Sequence, residues 1–290
     1  MKKYLLTFLL AVSTYLMHAQ CVCTNPFYKQ TYDSLTTFTY INNASGSIYL
    51  SNGQLYYDNP ISGGFFHRLY DSIPPLANNS QNFTATCKFN PTGGNAPGHM
   101  IMMFTESNDD PYTQNGLPYV RTFNDALGVG FLSLLTPNSS FCCTNPLDTG
   151  NTWGFHVFMK LDTALNLPVW LSGIPVTSLN SWFYIMLQRS QGVVSLSVFS
   201  DSLFTQHISG SPMCFVDDTL VGPLNFLQQG VFAPGSQYRF ITSYIDDVTL
   251  CAGTSCNVAC PLGINDVSTA NENLFWIENS SGKSTNHFYW

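Results

Sequence analysis

The feature that most constrains this chain is alternation. From about Ser47 to Leu250, apolar and polar residues exchange at every second position, in short runs punctuated by Gly, Pro and Asn. Successive side chains of a strand point to opposite faces, so this period fits half-buried strands. Ser47-Ile48-Tyr49-Leu50 and Gln54-Leu55-Tyr56-Tyr57 flank Ser51-Asn52-Gly53, an Asn-Gly hairpin turn. Asn82 to Phe89 places Phe83, Ala85, Cys87 and Phe89 on one face. His99 to Phe104 is more uniformly apolar, the pattern of a central strand covered on both sides. Leu127 to Leu134 and Gly154 to Leu161 continue the series. Trp182 to Arg189 and Val193 to Phe199 form a hairpin around Ser190-Gln191-Gly192, and Phe240 to Leu250 is a last long strand. No amphipathic helix is expected, and Pro223 to Gln229 has room for one short helical turn.

Composition agrees. Only three glutamates occur (Glu106, Glu272 and Glu278), while Phe, Tyr, Thr, Ser, Asn and Gly are abundant, a mixture that favours strands and turns. Many short strands with turns between them imply a sandwich or a barrel; length and the need to protect strand edges favour two packed sheets. The expected fold is therefore all-β, a two-sheet antiparallel jelly-roll sandwich.

The ends differ from this body. Lys2 and Lys3 precede an apolar run from Tyr4 to Leu16, and Met17-His18-Ala19 offers a small residue at a cleavage point. Residues 1–19 read as a secretory signal, the run being too short to span a bilayer comfortably. Elsewhere no apolar stretch is long enough for a transmembrane helix. Removing Lys2 and Lys3 leaves 8 basic side chains against 17 acidic ones. Such an acidic surface argues against nucleic acid and anionic lipid as partners. All nine cysteines lie beyond the signal, so disulfides are the default in an oxidising compartment; the odd number leaves at least one thiol outside an internal pair. Zinc at Cys256 and Cys260 is the rival reading. Residues 20–32 form an N-terminal Cys-containing segment, 33–252 the sandwich, 253–263 a small polar linker and 264–290 a separate tail.

Two resemblances sharpen this outline. Ser181-Trp182-Phe183-Tyr184-Ile185 with Gln188-Arg189, the paired strand Val193 to Asp201, and Tyr244-Ile245-Asp246-Asp247-Val248-Thr249-Leu250 resemble the concanavalin A-like, LamG-type jelly rolls over roughly residues 33–252. The tail, with Leu262-Gly263-Ile264-Asn265-Asp266-Val267, Asn271-Glu272-Asn273-Leu274-Phe275 and Ser280-Ser281-Gly282-Lys283, resembles the start of a type IX secretion sorting domain of Bacteroidetes cargo proteins. It departs from that pattern at Ile277-Glu278-Asn279, where Tyr-Pro-Asn-Pro is usual, and stops at Trp290 before further strands, so it reads as a partial sorting segment. Together these imply a secreted or cell-surface protein that passes through the periplasm and engages the type IX secretion machinery.

The jelly-roll resemblance implies a binding or adhesion module whose partner is a polysaccharide or other glycan. A pyranose stacks its C–H face on an exposed ring while neighbouring polar groups fix its hydroxyls. Tyr56, Tyr57, Tyr112, Tyr119, Trp153 and Trp170 are candidate platforms because turns or polar residues surround them, and Arg121 offers a fork of donors. Against this, most of the 22 Phe, 15 Tyr and 5 Trp must fill the core, and Trp182 at the head of an apolar strand is expected there. Tyr244, Asp246, Val248 and Leu250 share the face read as the core. A core-facing carboxylate needs a partner. In similar carbohydrate-binding jelly rolls the corresponding aspartate ligates a structural calcium, which Asp246 would do here. The competing reading has Asp246 capping loop N–H groups or meeting an arginine such as Arg239. Glu106-Ser107-Asn108-Asp109-Asp110-Pro111-Tyr112 is a second calcium candidate, through Asp109 and Asp110, or else a solvated turn.

No catalytic residue is singled out. Glycoside hydrolysis needs two carboxyls at a controlled separation, yet Glu106 is the only glutamate within 33–252 and no paired run surrounds it. A polysaccharide-degrading hydrolase or lyase and a structural cell-surface protein without a small ligand remain the alternatives.

Overall fold

Asn52 and Gly53 both adopt positive φ, 54° and 73°, which closes a two-residue turn between β3 (Ile48–Ser51) and β4 (Gln54–Asp58). That turn twists with its strands and fixes their register, so Tyr49 faces Tyr56 and Leu50 faces Leu55. The structure, a computed structural model, describes residues 23, 26–41, 48–58, 66–73, 82–94, 99–108, 126–133, 153–159, 169–190, 192–216, 223–232 and 241–253. Within these the chain is all strand, in two antiparallel sheets.

The remaining strands are β1 (Tyr28–Gln30), β2 (Thr39–Ile41), β5 (Phe66–Ser72), β6 (Phe83–Gly94), β7 (His99–Thr105), β8 (Ala126–Ser133), β9 (Trp153–Met159) and β10 (Val169–Val176). They continue with β11 (Phe183–Ser190), β12 (Val193–Phe199), β13 (Met213–Val216), β14 (Phe226–Phe232) and β15 (Ile241–Ala252). One sheet has eight strands in the order β13-β12-β11-β6-β15-β4-β3, with β1 also on β15; the other has seven, β10-β9-β8-β7-β14-β5-β2. Chain-distant strands pair at the centre of both, as a jelly roll requires.

Alternation places the core. Phe83, Ala85, Cys87 and Phe89 of β6 are all buried on the inward face. Across the gap between sheets, Phe83 meets Phe104 at 5.6 Å between ring centroids, Phe89 meets Phe131 at 5.3 Å, and Phe155 meets Phe183 at 5.2 Å. Edge-on and tilted aromatic pairs of this kind add about 0.5–1.5 kcal/mol each beyond their area burial. Every residue of β7 is buried, because β8 and β14 flank it and both its faces are covered.

Two expectations need correcting. Pro223 to Gln229 does not hold a helical turn: Phe226–Phe232 is a central strand between β7 and β5. Its polar pair Gln228-Gln229 hides the apolar pattern, yet both side chains are buried and hydrogen-bonded, Gln229 accepting from the Tyr32 hydroxyl (2.7 Å) and donating to the Ile101 carbonyl (2.8 Å). In addition, the sandwich begins before residue 33, since β1 pairs with β15 and Cys23 forms a disulfide with Cys251, Cα atoms 5.8 Å apart. Cys214 is also disulfide-bonded, and Cys87 is a buried free thiol whose pKa burial pushes well up. The signal, residues 254–263 of the linker and the tail lie outside the described residues.

Candidate functional site

Strand parity and one bulge build the site. In β4, Leu55 and Tyr57 point inward, so Tyr56 points out. Register carries that outward row across the sheet: Tyr49 opposes Tyr56, Tyr56 opposes Tyr244, and Tyr244 opposes Asn90. Trp182 stands one residue before Phe183, which opposes Phe89, so it continues the row beyond Asn90. The rings follow one another, with centroids 5.1 Å apart for Tyr49 and Tyr56, 4.5 Å for Tyr56 and Tyr244, and 6.4 Å for Tyr244 and Trp182. Tyr49 is 42% exposed and the other three are half-buried. The result is a strip of four accessible rings running across the strands of the eight-stranded sheet, on its outer face. Interplanar angles of 62°, 40° and 45° make it a twisted strip rather than a flat one, as strand twist requires.

A charged row lies beside the strip. Asp246 opposes Lys88, which opposes Tyr184, which opposes Phe199. The Lys88 ammonium contacts the Asp247 carboxylate and lies 3.8 Å from Asp246 Oδ2; Asp246 Oδ1 accepts the Asp247 N–H at 2.8 Å. Partial burial, then the charge of Asp247, raise the Asp246 carboxyl above its ordinary range despite Lys88. Burial alone would lower Lys88, but its hydrogen bond to Asp247 and the two carboxylate charges outweigh that and raise it. Both shifts are compatible, because the lysine is held chiefly by Asp247. On the other flank stands exposed Asp58 of β4. Partial desolvation, then the Asp58 charge, hold the Tyr49 and Tyr56 hydroxyls above the ordinary phenol range. Toward β12 the charged row ends under a folded turn. Phe204 and His207 pack on Phe199 at 5.4 and 4.2 Å, and Asp201 holds the turn by accepting from the N–H groups of Leu203, Thr205 and Gln206.

The bulge explains why Asp246 is here. Pairing between β15 and β6 shifts between Asp246/Lys88 and Thr249/Thr86, with Asp247 at φ 51°. The extra residue switches the inward face, so Ile245, Val248 and Leu250 are buried while Asp246 turns out. The expected core placement of Asp246 and Tyr244 is therefore corrected. The cation facing Asp246 is Lys88, and Arg239 lies outside the described residues. Among the described residues no group of three or more His, Cys, Asp or Glu is arranged to hold a metal ion.

The other candidate residues separate as follows. Tyr57 is fully buried, its ring edge-on to His99 at 4.4 Å. Trp153 is buried and stacked on Phe131 at 5.7 Å. Both are core residues and offer no face to a ligand, because each shares the inward parity of its neighbours, Leu55 for one and Phe155 for the other. Trp170 lies on β10 with its backbone opposite Phe158; its side chain, like Tyr112, Tyr119, Arg121, Asp109 and Asp110, is outside the described residues. Trp182, expected in the core, belongs to the strip. Tyr49 escaped the sequence reading, although Ile48 and Leu50 mark the inward parity of β3 and set it outward.

The outer face of the seven-stranded sheet carries a second polar cluster, centred on the buried side chains of Arg68, Thr105 and Gln228. Arg68 donates from Nη1 to the Asn108 carbonyl at 3.0 Å and contacts Gln228 Oε1, with its guanidinium 5.8 Å from the Tyr70 ring centre. Gln228 Nε2 donates to Thr105 Oγ1 (2.9 Å) and to the Ser107 carbonyl (3.2 Å), and Asn108 Nδ2 donates to the Tyr70 hydroxyl (3.0 Å). This cluster ties β5 and β14 to Ser107 and Asn108, which follow β7.

No protein-family model and no curated protein matches the sequence. Solved structures do match the fold. Lectin II from Ulex europaeus is 9% identical, covering 78% of this chain and 99% of its own, at a TM-score of 0.51. The exoplasmic/lumenal domain of VIP36, in its Ca2+/Man3GlcNAc-bound form, is 11% identical, covering 83% and 94%, at 0.50. These likenesses show the fold alone: an all-β sandwich of the legume lectin, concanavalin A-like type.

Proposed function

We propose that this chain is a secreted carbohydrate-binding module and that its glycan lies on the Tyr49–Tyr56–Tyr244–Trp182 strip. The observation that carries the reading is the strip itself. Four rings in one line, each keeping part of its face in water, are placed where sugar rings can stack, and Asp246, Asp247, Lys88 and Asn90 stand within reach of hydroxyl groups. Burying such rings against a ligand releases apolar surface from water without unfolding anything. A face without rings would have favoured a purely structural role. The lectin-like fold is compatible with the reading but does not fix it.

The proposed location is outside the cytoplasm. The Cys23–Cys251 disulfide supports an oxidising compartment. Residues 1–19 would direct export, and 264–290 would engage the type IX route of a Bacteroidetes cell.

The test is affinity electrophoresis against a panel of soluble polysaccharides, with Tyr56→Ala and Tyr244→Ala alongside. Each variant is expected to lose at least about tenfold in affinity, about 1.4 kcal/mol, while melting near the parent temperature. Retardation by no polysaccharide in the panel would sink the reading. So would sedimentation as a dimer that Tyr56→Ala converts to a monomer without any glycan effect, since the strip would then hold a second copy.

A further inference from the structure

The strip has a shape and a charge, and both restrict its ligand. Its rings step by 4.5–6.4 Å along a line that crosses β3, β4, β15 and β6, so a chain lying on it would meet rings in succession. Successive rings are tilted by 40–62°. A flat crystalline surface could rest on one such ring at a time, whereas a single twisting chain can follow them all. Carboxylates bracket the line: Asp58, two residues beyond Tyr56 on β4, and Asp246 with Asp247, just beyond Tyr244 on β15. Among the described residues the lysine beside the strip is Lys88, engaged by both Asp246 and Asp247. The next cation by register, Lys29, stands opposite Thr249, three positions further along β15 than Asp246. Among the described residues the rim of the strip is thus acidic, and its closest cation is committed.

Resting on the carbohydrate-binding reading above, we infer that the strip takes one soluble chain of an uncharged polysaccharide, and that Asp58, Asp246 and Asp247 turn away polyanionic glycans. A glycan bearing uronates or sulfates would bring its charges against these carboxylates at a few ångströms, within the screening length of physiological salt. Like-charge juxtaposition of this kind acts as selection against the wrong partner. An uncharged chain meets the same carboxylates as hydrogen-bond acceptors for its hydroxyls.

The experiment measures binding of the intact protein to three neutral soluble chains (mixed-linkage glucan, xyloglucan and galactomannan), to polygalacturonate and to crystalline cellulose, at low and high salt. The expected result is binding to at least one neutral chain with little salt dependence, none to polygalacturonate at low salt, and none to cellulose crystals. The double variant Asp58→Asn/Asp246→Asn is expected to gain at least about threefold for polygalacturonate at low salt, with that gain fading at high salt. Binding polygalacturonate as tightly as the neutral chains, or crystals in preference to soluble chains, would overturn this inference while leaving the carbohydrate-binding reading standing. A double variant that still excludes polygalacturonate would overturn the role given to the carboxylates. Binding to none of the five would overturn both readings.

Discussion

The two sheets expose opposite solutions on their outer faces. On the eight-stranded sheet the rings of Tyr49, Tyr56, Tyr244 and Trp182 and the charges of Lys88, Asp246 and Asp247 keep partial contact with water. On the seven-stranded sheet Arg68 and Gln228 are buried and held by specific partners, the Asn108 and Ser107 carbonyls and Thr105. Pairing rules are the same in both. The difference is solvent, and solvent decides what a polar group is worth. A buried charge without partners is costly, so the seven-stranded face must be complete to be stable. Exposed ion pairs contribute little to stability, so the eight-stranded face is free to serve a ligand. Order on one face supports the fold; accessibility on the other serves the proposed binding.

Neighbouring tyrosines give the sharpest form of the contrast. Tyr57→Ala should destabilise by about 3–5 kcal/mol, the range for deleting a large buried aromatic, read as a shift in the denaturant midpoint. Tyr56→Ala, one residue away, should shift stability by less than about 1 kcal/mol yet abolish most glycan affinity. Equal destabilisation by the two would erase the distinction between inner and outer faces of β4.

Acid offers a second probe, now of the layer between the sheets. His99 is buried between Tyr57 and Phe89 with Nδ1 2.8 Å from Ser243 Oγ, and burial lowers its pKa from 6.5 to about 3. The unfolded chain takes up this proton near pH 6.5 and the folded one only near 3. The contribution of the neutral ring is therefore full above about pH 6.5 and declines as pH falls toward 3, by roughly 2–5 kcal/mol in all. Denaturant titrations across that window should show the decline, and a His99→Gln variant should flatten it.

The smallest effects separate the two polar clusters. Gln228→Ala removes the acceptor facing Arg68 and the donor to Thr105, and should destabilise by about 1–3 kcal/mol. Lys88→Ala breaks a contact that is partly in water and should change stability by less than about 1 kcal/mol. A reversal of this order would mean that the outer ion pair, not the buried cluster, fastens its sheet.

Much of this arrangement was legible in the sequence, and the failures have identifiable causes. Asn52-Gly53 announced its hairpin, and the parity of Phe83, Ala85, Cys87 and Phe89 announced the core face of β6, because both rest on local backbone chemistry. Leu55, Phe155 and Ile185 held the parity that puts Tyr57 and Trp153 inside and Trp182 outside; polar neighbours and strand position were weaker guides than the apolar residue two positions away. The face of β15 was not legible. Counting back from Val248 and Leu250 puts Asp246 in the core, and only the bulge at Asp246–Thr249, marked in sequence by nothing stronger than an Asp-Asp pair, reverses it. Nor was β14 legible, since Gln228 and Gln229 interrupt its pattern and their hydrogen-bond partners lie more than 100 residues away. The strip itself joins residues from positions 49 to 244, and only the strand order brings them into line.

Hydroxyl-radical footprinting with mass spectrometry, in the presence and absence of a bound soluble polysaccharide, tests the central claim most directly. Ligand protection is expected at Tyr49, Tyr56, Tyr244 and Trp182 together, with unchanged labelling at exposed Leu203. Protection confined to the loops of the seven-stranded sheet, with the four rings labelled as in the free protein, would contradict it.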